Sequence, residues 1–341
     1  MTRNEPSGEE QIVLAHGGGG ELTRRLIQER FLSRLSNPLL EPLTDSAILS
    51  VSGRVAFTTD AFVVQPLEFP GGDIGRLAVC GTVNDLAVAG AIPRALSLAM
   101  VMEEGLELAL LDRVIRSIAQ AASEAGVVIA TGDTKVIERH GGDGLIITTA
   151  GVGDVREDAR LGPDRLVPGD AVVVTGPIAE HGLAIMSVRE GLGFDTQLTS
   201  DVAPLAGLVD AMFSSGADIK FLRDPTRGGM AGVLADLAEE SGLTVEVIEE
   251  SIPITPVARH TAELLGLDPL TVANEGKVVA LVAGEDAGRL LQACRNHPLG
   301  RQAAVIGRIV RRDPPLVELV TPAGGRRIIQ RPYGEDLPRI C

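Results

Sequence analysis

The chain has 341 residues and a formal net charge of −15, and it is 45% hydrophobic but only 2% aromatic. This length predicts two domains, and the scarcity of aromatic residues predicts cores built from Ala, Val, Leu and Ile, as in helices packed on sheets. The acidic balance disfavours nucleic acid as a partner because it repels phosphate backbones, although metal ions would still let the protein bind a nucleotide.

The first half of the chain combines short apolar strands with two long helices. Residues 1–10 are polar and are expected to be disordered. A short strand or edge segment at 12–15 leads into a glycine loop at 16–21, which a helix is predicted to follow. The other predicted elements are strands at 55–59, 62–65, 95–102, 127–131 and 145–152, an almost wholly apolar helix at 74–91 and an amphipathic helix at 107–125.

A charged segment rich in Pro and Gly, at 154–170, marks the predicted junction between two domains. Strands and helices then mix without strict βαβ alternation, which favours an α+β fold over a doubly wound sheet. The predicted domains are 11–155 and 168–322, and a tail at 326–341 follows them. The elements predicted after the junction are strands at 171–175, 218–222, 243–248, 277–283 and 302–311, and helices near 180–190, near 202–214 and from Arg227.

The tail ends in a cysteine, Cys341. Its two prolines and one glycine, with little to bury, predict an extended and mobile segment. The 16 residues after Gly325 would span about 50 Å at ~3.3 Å per residue. A prenylation signal places its cysteine four residues from the end, so lipidation does not explain Cys341. Taken alone, a terminal cysteine is more often chance than function.

The other two cysteines, Cys80 and Cys294, lie in apolar helical surroundings and are predicted to be inert core residues. The three cysteines together match neither a disulfide framework nor a zinc spacing. The N-terminus lacks a long apolar signal region, and no apolar run approaches the length of a membrane span. We therefore expect a cytoplasmic protein without a membrane partner.

Four aspartates stand where apolar elements end or in unusually apolar surroundings. They are Asp45, Asp60, Asp85 and Asp133. Each alone is more typical of a turn or a helix cap. Asp85, however, lies inside an apolar run, where an unpaired carboxylate would cost several kcal/mol. A metal ion would offset that cost, and several hard oxygen ligands are what Mg²⁺ bound to a triphosphate requires.

Three further segments could contact a ligand. The glycine loop, which follows His16, can offer backbone N–H groups to an anion, but it fits neither the Walker nor the dinucleotide spacing. Residues 224–229 stand between a strand and a helix, where an anion site and an ordinary capped turn are equally plausible. Residues 274–277 contain Glu275, which could be a general base or part of a solvated turn.

Taken together, these segments resemble the AIR-synthetase-like (PurM-like) superfamily of ATP-dependent enzymes, and most closely its hydrogenase-maturation family, HypE. The resemblance extends from His16 to Cys341. Its internal motifs are shared in altered form with other superfamily members, whereas the ending Pro-Arg-Ile-Cys is typical of that family. The most specific segments are the glycine loop, 83–85, 131–135, 224–229, 274–276 and 338–341.

The resemblance implies a fold of two α/β halves. The N-terminal half, 11–155, would bind ATP and pair with a second copy into a shared barrel, so that ATP lies in a groove near the interface of a homodimer. It also implies Mg²⁺. The residues expected to contact ATP are Gly17, Gly18, Gly19, Asn84, Asp224, Thr226, Arg227, Gly228 and Gly229, and the expected metal ligands are Asp45, Asp60, Asp85 and Asp133.

The resemblance further implies a reaction on the tail. A HypF-type carbamoyltransferase would load a carbamoyl group onto Cys341, and the chain would dehydrate it to a thiocyanate with ATP. The cyano group would then pass to iron on a HypC–HypD scaffold and become a cyanide ligand of [NiFe]-hydrogenase. Glu275 is the expected base, Lys135 would orient the carboxamide oxygen or the γ-phosphate, and His16 would be a further phosphate or acid–base contact.

Other functions remain as alternatives. The nearest is another superfamily enzyme, such as a selenophosphate synthetase or a purine-pathway synthetase. Selenophosphate synthetases carry a reactive Cys or Sec and a Lys in the glycine loop, and residues 16–21 contain neither. A small-molecule kinase would have no use for the terminal cysteine, and the nucleotide-type motifs disfavour a non-catalytic adaptor.

Overall fold

Two main β-sheets, of four and seven strands, carry the fold. The computed structural model describes residues 11–43, 46–51, 53–191, 198–332 and 340. The predicted disordered segment 1–10, the metal-ligand candidate Asp45 and the reactive candidate Cys341 lie outside these residues. A third, two-stranded sheet pairs residues 68–69 with residues 72–73.

The strands are β1 Val55–Phe62, β2 Glu68–Phe69, β3 Gly72–Asp73, β4 Ala91–Glu103, β5 Val128–Ile137, β6 Leu145–Val155, β7 Ala171–Val174, β8 Ile219–Arg223, β9 Thr244–Ile248, β10 Val279–Val282, β11 Ala304–Val310, β12 Val317–Val320 and β13 Arg326–Ile329. The α-helices are α1 Glu21–Leu26, α2 Ser33–Leu35, α3 Ile74–Val88, α4 Leu108–Ala125, α5 Glu180–Arg189, α6 Ala206–Ser214, α7 Gly229–Ser241, α8 Pro256–Leu265 and α9 Ala287–Asn296. A π-helical segment, Ile27–Leu32, joins α1 to α2.

The four-stranded sheet has the order β1-β6-β4-β5. Strand β6 is antiparallel to both β1 and β4, whereas β4 and β5 are parallel. Parallel neighbours need a crossover connection, and α4 supplies it. Helix α3 packs against the sheet and against α4. Strands β1 and β5 therefore stand at opposite edges of this sheet.

Helices α3 and α4 confirm the predicted helices at 74–91 and 107–125. The Asp73 side chain caps α3 by accepting a hydrogen bond from the Arg76 N–H at 2.9 Å. Twelve of the fifteen residues of α3 are buried, as expected for a helix that is apolar on nearly all sides. Helix α4 buries one face and ends at Gly126, whose φ of 70° is left-handed.

The seven-stranded sheet has the order β13-β12-β9-β11-β7-β10-β8 and is covered on both faces. Successive residues of β7 point into two different cores, one containing α7 and the other containing α6 and α9. A strand buried on both faces reads as a continuous apolar run rather than an alternating one, which is the pattern of β7 and β10. The mixed strands and helices confirm the α+β prediction.

Some elements differ from their predictions. Residues 12–15 do not form a strand, because the chain turns into a 3₁₀-helix at Leu14–Gly17. The strand predicted at 62–65 is absent, since β1 ends at Phe62. Helices α8 and α9 and strand β12 were not predicted. The tail boundary at 326 is wrong, because residues 326–329 pair with β12 as strand β13.

Cys80 and Cys294 are both fully buried, as predicted. Burial raises the pKa of Cys80 to about 12 and that of Cys294 to about 11. A thiol held far from its anionic form is a poor nucleophile. Within the described ranges, no helix is both long and apolar enough to cross a membrane.

Candidate active site

Four acidic side chains from both halves of the chain line one small cavity. Asp60 lies on β1 and Asp85 on α3, whereas Asp224 follows β8 and Glu275 precedes β10. We call these four residues the carboxylate cluster. The sequence analysis predicted each of them separately, and the fold brings them together.

Three members of the carboxylate cluster, Asp60, Asp224 and Glu275, have raised pKa values. Burial, followed by the charge of Asp85, raises the pKa of Asp60 to about 6. The same two causes raise the pKa of Asp224 to about 7. Burial also raises the pKa of Glu275 well above its ordinary value, and the charge of Asp224 adds to the effect. Carboxyl groups that ionise near neutral pH can exchange protons with a substrate.

Threonine hydroxyls fix the two carboxylates of the N-terminal half. Thr58 donates to Asp85 Oδ2 at 2.8 Å, and Thr82 donates to Asp60 Oδ2 at 3.2 Å. Thr82 Oγ1 also lies 2.5 Å from Thr149 Oγ1 in the adjacent strand β6. Because these partners are buried or half-buried, the orientations of both carboxylates are set before any ligand binds.

Residues 224–229 approach the cavity at Thr226 and Arg227, which line it. Gly228 and Gly229 do not. Gly228 has a φ of 79° and precedes α7, and a side chain on Gly229 would lie 2.5 Å from the Leu270 carbonyl oxygen. The Gly229 N–H already donates to the Thr226 carbonyl at 2.9 Å. The structure therefore places both glycines in the turn before α7, and the cofactor contact expected of them stays a prediction.

Asn274 and Asp201 hold the backbone on either side of Glu275. The Asn274 side chain accepts from the Ala179 N–H at 2.7 Å and donates to the Pro225 carbonyl at 3.0 Å. Asp201 accepts from the N–H groups of Glu275 at 3.1 Å and Gly276 at 3.2 Å. The Glu275 carboxyl is therefore carried on backbone that is fixed from two directions.

A buried ion pair supports Asp201. Lys277 Nζ lies 3.0 Å from Asp201 Oδ2 and 3.8 Å from Glu180 Oε2. Burial pushes the pKa of Asp201 upward, but the charge of Lys277 and the hydrogen bonds to Asp201 oppose it, so the pKa stays below its ordinary value. Gly276 is required here because a Cβ would lie 1.8 Å from the Asp201 carbonyl oxygen.

Asn84 was predicted to contact the cofactor, but its side chain faces another part of the protein. It is fully buried. Its amide nitrogen donates to the carbonyls of Ala203 at 3.1 Å and Glu275 at 3.2 Å, and its oxygen accepts from the Leu205 N–H at 2.7 Å. The contacts of Asn84 therefore join α3 to the C-terminal half and position the backbone of Glu275, which corrects the prediction.

A second group of predicted residues lines a different cavity, of about 190 Å³. Gly17 and Gly19 contribute from the glycine loop, and Asp133 and Lys135 from β5. Lys135 Nζ lies 3.4 Å from Asp133 Oδ2, and both side chains are exposed. Most of the other wall is apolar and comes from the helical segment at 21–35 and from β5.

Two backbone N–H groups of the glycine loop already have hydrogen-bond partners close by in the sequence. The Gly18 N–H donates to the Ala15 carbonyl at 3.3 Å, and the Gly19 N–H donates to Thr23 Oγ1 at 2.9 Å. His16 Nδ1 accepts from the Val13 N–H at 3.0 Å, and His16 lines neither of the two cavities above. The structure gives His16 a local capping contact and no contact with the carboxylate cluster.

The two groups are not united within one chain, because Asp60 lies on β1 and Asp133 and Lys135 lie on β5, at the other edge of the sheet. In the described parts of the chain, no three His, Cys, Asp or Glu side chains converge as a metal site requires. The four-aspartate magnesium site is therefore not assembled by this chain alone, and Asp45 lies outside the described residues.

The penultimate residue of the tail, Ile340, is buried in a hydrophobic core to which both halves of the chain contribute. His181 Nε2 lies 2.7 Å from the Ile340 carbonyl oxygen, and His181 Nδ1 lies 2.8 Å from Ser200 Oγ. At the other end of the segment, Arg331 Nη2 lies 2.6 Å from Asp236 Oδ1. Arg331 and Ile340 therefore each contact the folded body, and the tail residues 333–339 and 341 lie outside the described part of the chain.

Family models match both halves of the chain. The AIR synthase related protein N-terminal domain matches residues 43–155, and the corresponding C-terminal domain matches 167–317. The curated protein "Carbamoyl dehydratase HypE" from Azotobacter vinelandii is 48% identical over 97% of each chain. The protein of the same name from Escherichia coli K12 is 44% identical over 97% of this chain and 99% of its own.

This chain belongs to the HypE family. A solved HypE structure in complex with ATP superposes with a TM-score of 0.93 at 42% identity, over 96% of this chain and 99% of that one. A HypE–HypF complex superposes with a TM-score of 0.79 at 44% identity, over 90% and 99%. These relatives confirm the predicted resemblance and do not favour the selenophosphate-synthetase alternative.

The HypE fold is shared more widely. Thiamine-monophosphate kinase from Stenotrophomonas maltophilia superposes with a TM-score of 0.64 at 20% identity, over 87% of this chain and 95% of that one. This likeness shows the fold alone, and it agrees with the predicted PurM-like architecture.

Sequence reasoning on this HypE-family chain missed Asp201 and His181. Both lie in ordinary polar contexts, and their partners are distant in sequence: Asp201 holds Glu275, and His181 holds Ile340. The sequence did show that each of these polar residues stands next to an apolar segment, and such segments are commonly buried. That signal alone does not say which backbone the side chain will meet.

Proposed function

We propose that this chain is an ATP-dependent carbamoyl dehydratase of hydrogenase maturation, which acts on a carbamoyl group carried by Cys341. The support comes from relatives named for this activity at 44–48% identity over nearly the whole chain. The observation that carries the proposal is structural. Ile340, the neighbour of Cys341, is bound by His181, and His181 also contacts Ser200. Asp201, which follows Ser200, holds the backbone of Glu275.

The reaction converts S–C(=O)–NH₂ to S–C≡N. ATP phosphorylates the carboxamide oxygen, which turns a poor leaving group into phosphate, and the two N–H protons must be removed. The products are the thiocyanate, ADP and phosphate, so the carboxamide oxygen leaves in the phosphate. Glu275 is the proposed base, because its raised pKa lets the carboxylate hold a proton taken from nitrogen.

Asp60 and Asp85 fit a divalent cation in chemistry and placement. They are hard oxygen donors in one cavity, and their mutual repulsion, after burial, raises the pKa of Asp60. Mg²⁺ bound there would stabilise negative charge on the phosphoryl group during its transfer. Arg227, which lines the same cavity, supplies a fixed positive charge for the phosphates.

The remaining predicted residues would reach this site from a second copy of the chain. Strands β1 and β5 are opposite edges of one sheet, and β1 exposes Phe57 by 72%. Pairing such edges between two copies closes a shared barrel and covers the exposed apolar surface. Asp133 and Lys135 of one subunit would then approach Asp60 of the other.

The cavity beside the glycine loop suits a nucleotide. Its apolar wall fits a purine base, and Asp133 and Lys135 at its polar end are placed to contact phosphates or their metal ion. Lys135 is the proposed group for orienting the γ-phosphate or the carboxamide oxygen. A homodimer would bring this cavity towards the carboxylate cluster of the other subunit.

The proposed partners follow from the reaction. A HypF-type carbamoyltransferase would load Cys341, and a relative has been solved as a HypE–HypF complex. A HypC–HypD iron scaffold would accept the cyano group as a cyanide ligand of [NiFe]-hydrogenase. Both exchanges would require Ile340 to leave its buried position, and we propose that they take place in the cytoplasm.

Intact-mass measurement tests the proposal directly. The chain is carbamoylated by a HypF-type enzyme and then incubated with and without MgATP. We expect a carbamoyl adduct that loses one water only with MgATP, that is absent in Cys341→Ala and that persists undehydrated in Glu275→Gln. A carbamoylated chain that keeps its mass in MgATP would refute the activity, and full dehydration by Glu275→Gln would remove Glu275 from the role of base.

A further inference from the structure

A buried histidine that the chemistry above does not use contacts the end of the tail. His181 lies in the first turn of α5, is fully buried and meets the ring of Phe69 edge-on at 5.6 Å. Burial lowers its pKa, which favours the neutral imidazole. A neutral imidazole carries one N–H and one lone pair, so its two nitrogens must have opposite hydrogen-bonding roles.

The partners of His181 determine which nitrogen carries the proton. The Ile340 carbonyl can only accept, so His181 Nε2–H donates to it at 2.7 Å. Nδ1 must then accept, and the Ser200 hydroxyl donates to it at 2.8 Å. Ser200 Oγ in turn accepts from the Val202 N–H at 3.1 Å. The Ile340 carbonyl thus fixes the tautomer of His181, and the Ser200 hydroxyl complements it by donating to Nδ1.

The same loop also reaches the carboxylate cluster. Ser200 contacts His181, and the next residue, Asp201, accepts hydrogen bonds from the N–H groups of Glu275 and Gly276. Two consecutive residues therefore serve two ends of the site. Ser200 contacts the histidine that binds the tail, and Asp201 binds the backbone of the proposed base. A displacement of Ser200 would be passed to Asp201 through one peptide bond.

We infer that His181 is a positioning residue that binds the Ile340 carbonyl and so places the end of the tail relative to Glu275. This inference rests on the proposed function. The Ile340 side chain supplies the apolar part of the contact, because it is buried in the same core as Phe69. The site thus recognises a terminal peptide by one backbone acceptor and one apolar side chain.

Two variants of His181 separate hydrogen bonding from packing. His181→Phe keeps an aromatic ring against Phe69 but removes the donor. His181→Gln keeps an N–H group at a similar reach. His260, which is exposed on α8, provides the matched control His260→Phe.

The first measurement needs neither ATP nor carbamoylation. Carboxypeptidase is added to the full chain, and release of Cys341 and then Ile340 is followed by intact mass. We expect His181→Phe to release Cys341 about tenfold faster than the natural chain, because the hydrogen bond it loses is to the carbonyl of the Ile340–Cys341 peptide bond. His181→Gln should fall between the two, and His260→Phe should match the natural chain. Equal release from His181→Phe and the natural chain would overturn the inference.

The second measurement is single-turnover dehydration of the carbamoylated chain in saturating MgATP. We expect His181→Phe to dehydrate about tenfold more slowly, while its carbamoylation rate and its affinity for ATP stay unchanged. An unchanged dehydration rate would refute the positioning role. If the natural chain itself loses no water, the proposed function fails, and the release assay still decides whether His181 holds Ile340.

A change at the chain end covers the case in which His181→Phe does not fold. Ile340→Gly removes the apolar half of the same contact and alters no other part of the folded body. We expect it to slow single-turnover dehydration while leaving carbamoylation intact. A natural dehydration rate in Ile340→Gly would contradict the inference independently of the histidine.

Discussion

At the scale of single residues, the carboxylate cluster lowers the stability of the folded protein because its members repel one another when they ionise. Asp224 is buried beside Asp85 and Asp60, and their charges add to the cost of ionising it. An acid whose pKa is raised on folding binds its proton more tightly in the native state. Stability therefore falls as the pH rises from the unfolded pKa through the folded one. A group of carboxylates that destabilises the folded protein is best explained by function, because positive charges bound during the reaction would offset the repulsion.

Replacing Asp224 with Asn should stabilise the ligand-free protein at alkaline pH. The native pKa of about 7 against an ordinary 3.8 corresponds to a gain of up to about 4 kcal/mol in the free energy of unfolding at pH 8. The gain should shrink as the pH falls through the folded pKa and disappear below the unfolded pKa of 3.8, where Asp224 is protonated in both states. Urea unfolding at several pH values measures it.

Asp164→Asn, at an exposed aspartate, is the matched control for this titration and should show little change at any pH. Equal stability of Asp224→Asn and the natural chain at pH 8 would contradict the raised pKa of Asp224.

At the scale of elements, helix α3 serves two surfaces with adjacent residues. Asn84 and Asp85 are consecutive, and a helix turns by about 100° per residue, so their side chains leave it in different directions. Asp85 meets β1 through Thr58, whereas Asn84 meets the backbone at 203–205 and 275. The pairing of these two residues in one motif does not imply that they have one role.

Asn84→Ala should destabilise the protein without abolishing nucleotide binding. It deprives three buried backbone groups of their partner, at Ala203, Leu205 and Glu275. The expected cost is roughly 3 kcal/mol or more, and calorimetric ATP affinity of the folded protein should change little.

Asn296→Ala, at the exposed end of α9, is the control for Asn84→Ala and should cost less than about 0.5 kcal/mol. A large loss of ATP affinity in a stably folded Asn84→Ala protein would restore the cofactor role that its sequence context predicted.

The sequence was most informative where a local pattern decides the structure. The apolar run of α3 and the periodic face of α4 predicted both helices, and residues Asp133 and Lys135, two apart on β5, share one exposed side. Contacts between distant segments could not be predicted in this way. Asp201 and His181 acquire their roles only when the fold brings Glu275 and Ile340 to them.

At the scale of the whole molecule, the proposed dimer decides whether the site is complete. One chain places the carboxylate cluster and the Asp133–Lys135 pair at opposite edges of a sheet. Sequence motifs gave the residue types for one site, but they could not assign those residues to two subunits. A single sequence does not show which of its residues will meet across the symmetry axis of a dimer.

Phe57→Glu should dissociate the dimer. A charge on β1 at this exposed aromatic position would be buried without a partner in a shared barrel. Light scattering after size exclusion should report a monomer, with loss of dehydration activity. Ile328→Glu, on the exposed face of β13, is the control and should leave the assembly intact. A dimeric Phe57→Glu protein would exclude the barrel interface.

Mixed dimers test whether one site draws on two chains. Asp85→Asn and Lys135→Ala should each abolish dehydration as homodimers. Co-expressed with different tags and purified as the mixed dimer, they should recover up to about half of the natural activity, because one of the two sites then contains neither change. No recovery in a verified mixed dimer would place both residues in the site of a single chain.

The burial of Cys80 and Cys294 has a consequence for chemoselectivity. Thiol pKa values of about 12 and about 11 keep two of the three cysteine thiols protonated and so protect them from acylation. An electrophilic carbonyl donor that meets the folded chain therefore finds no competing internal acceptor. The proposed acylation of Cys341 therefore needs no discrimination by the donor enzyme between cysteines, because burial has already made Cys80 and Cys294 unreactive.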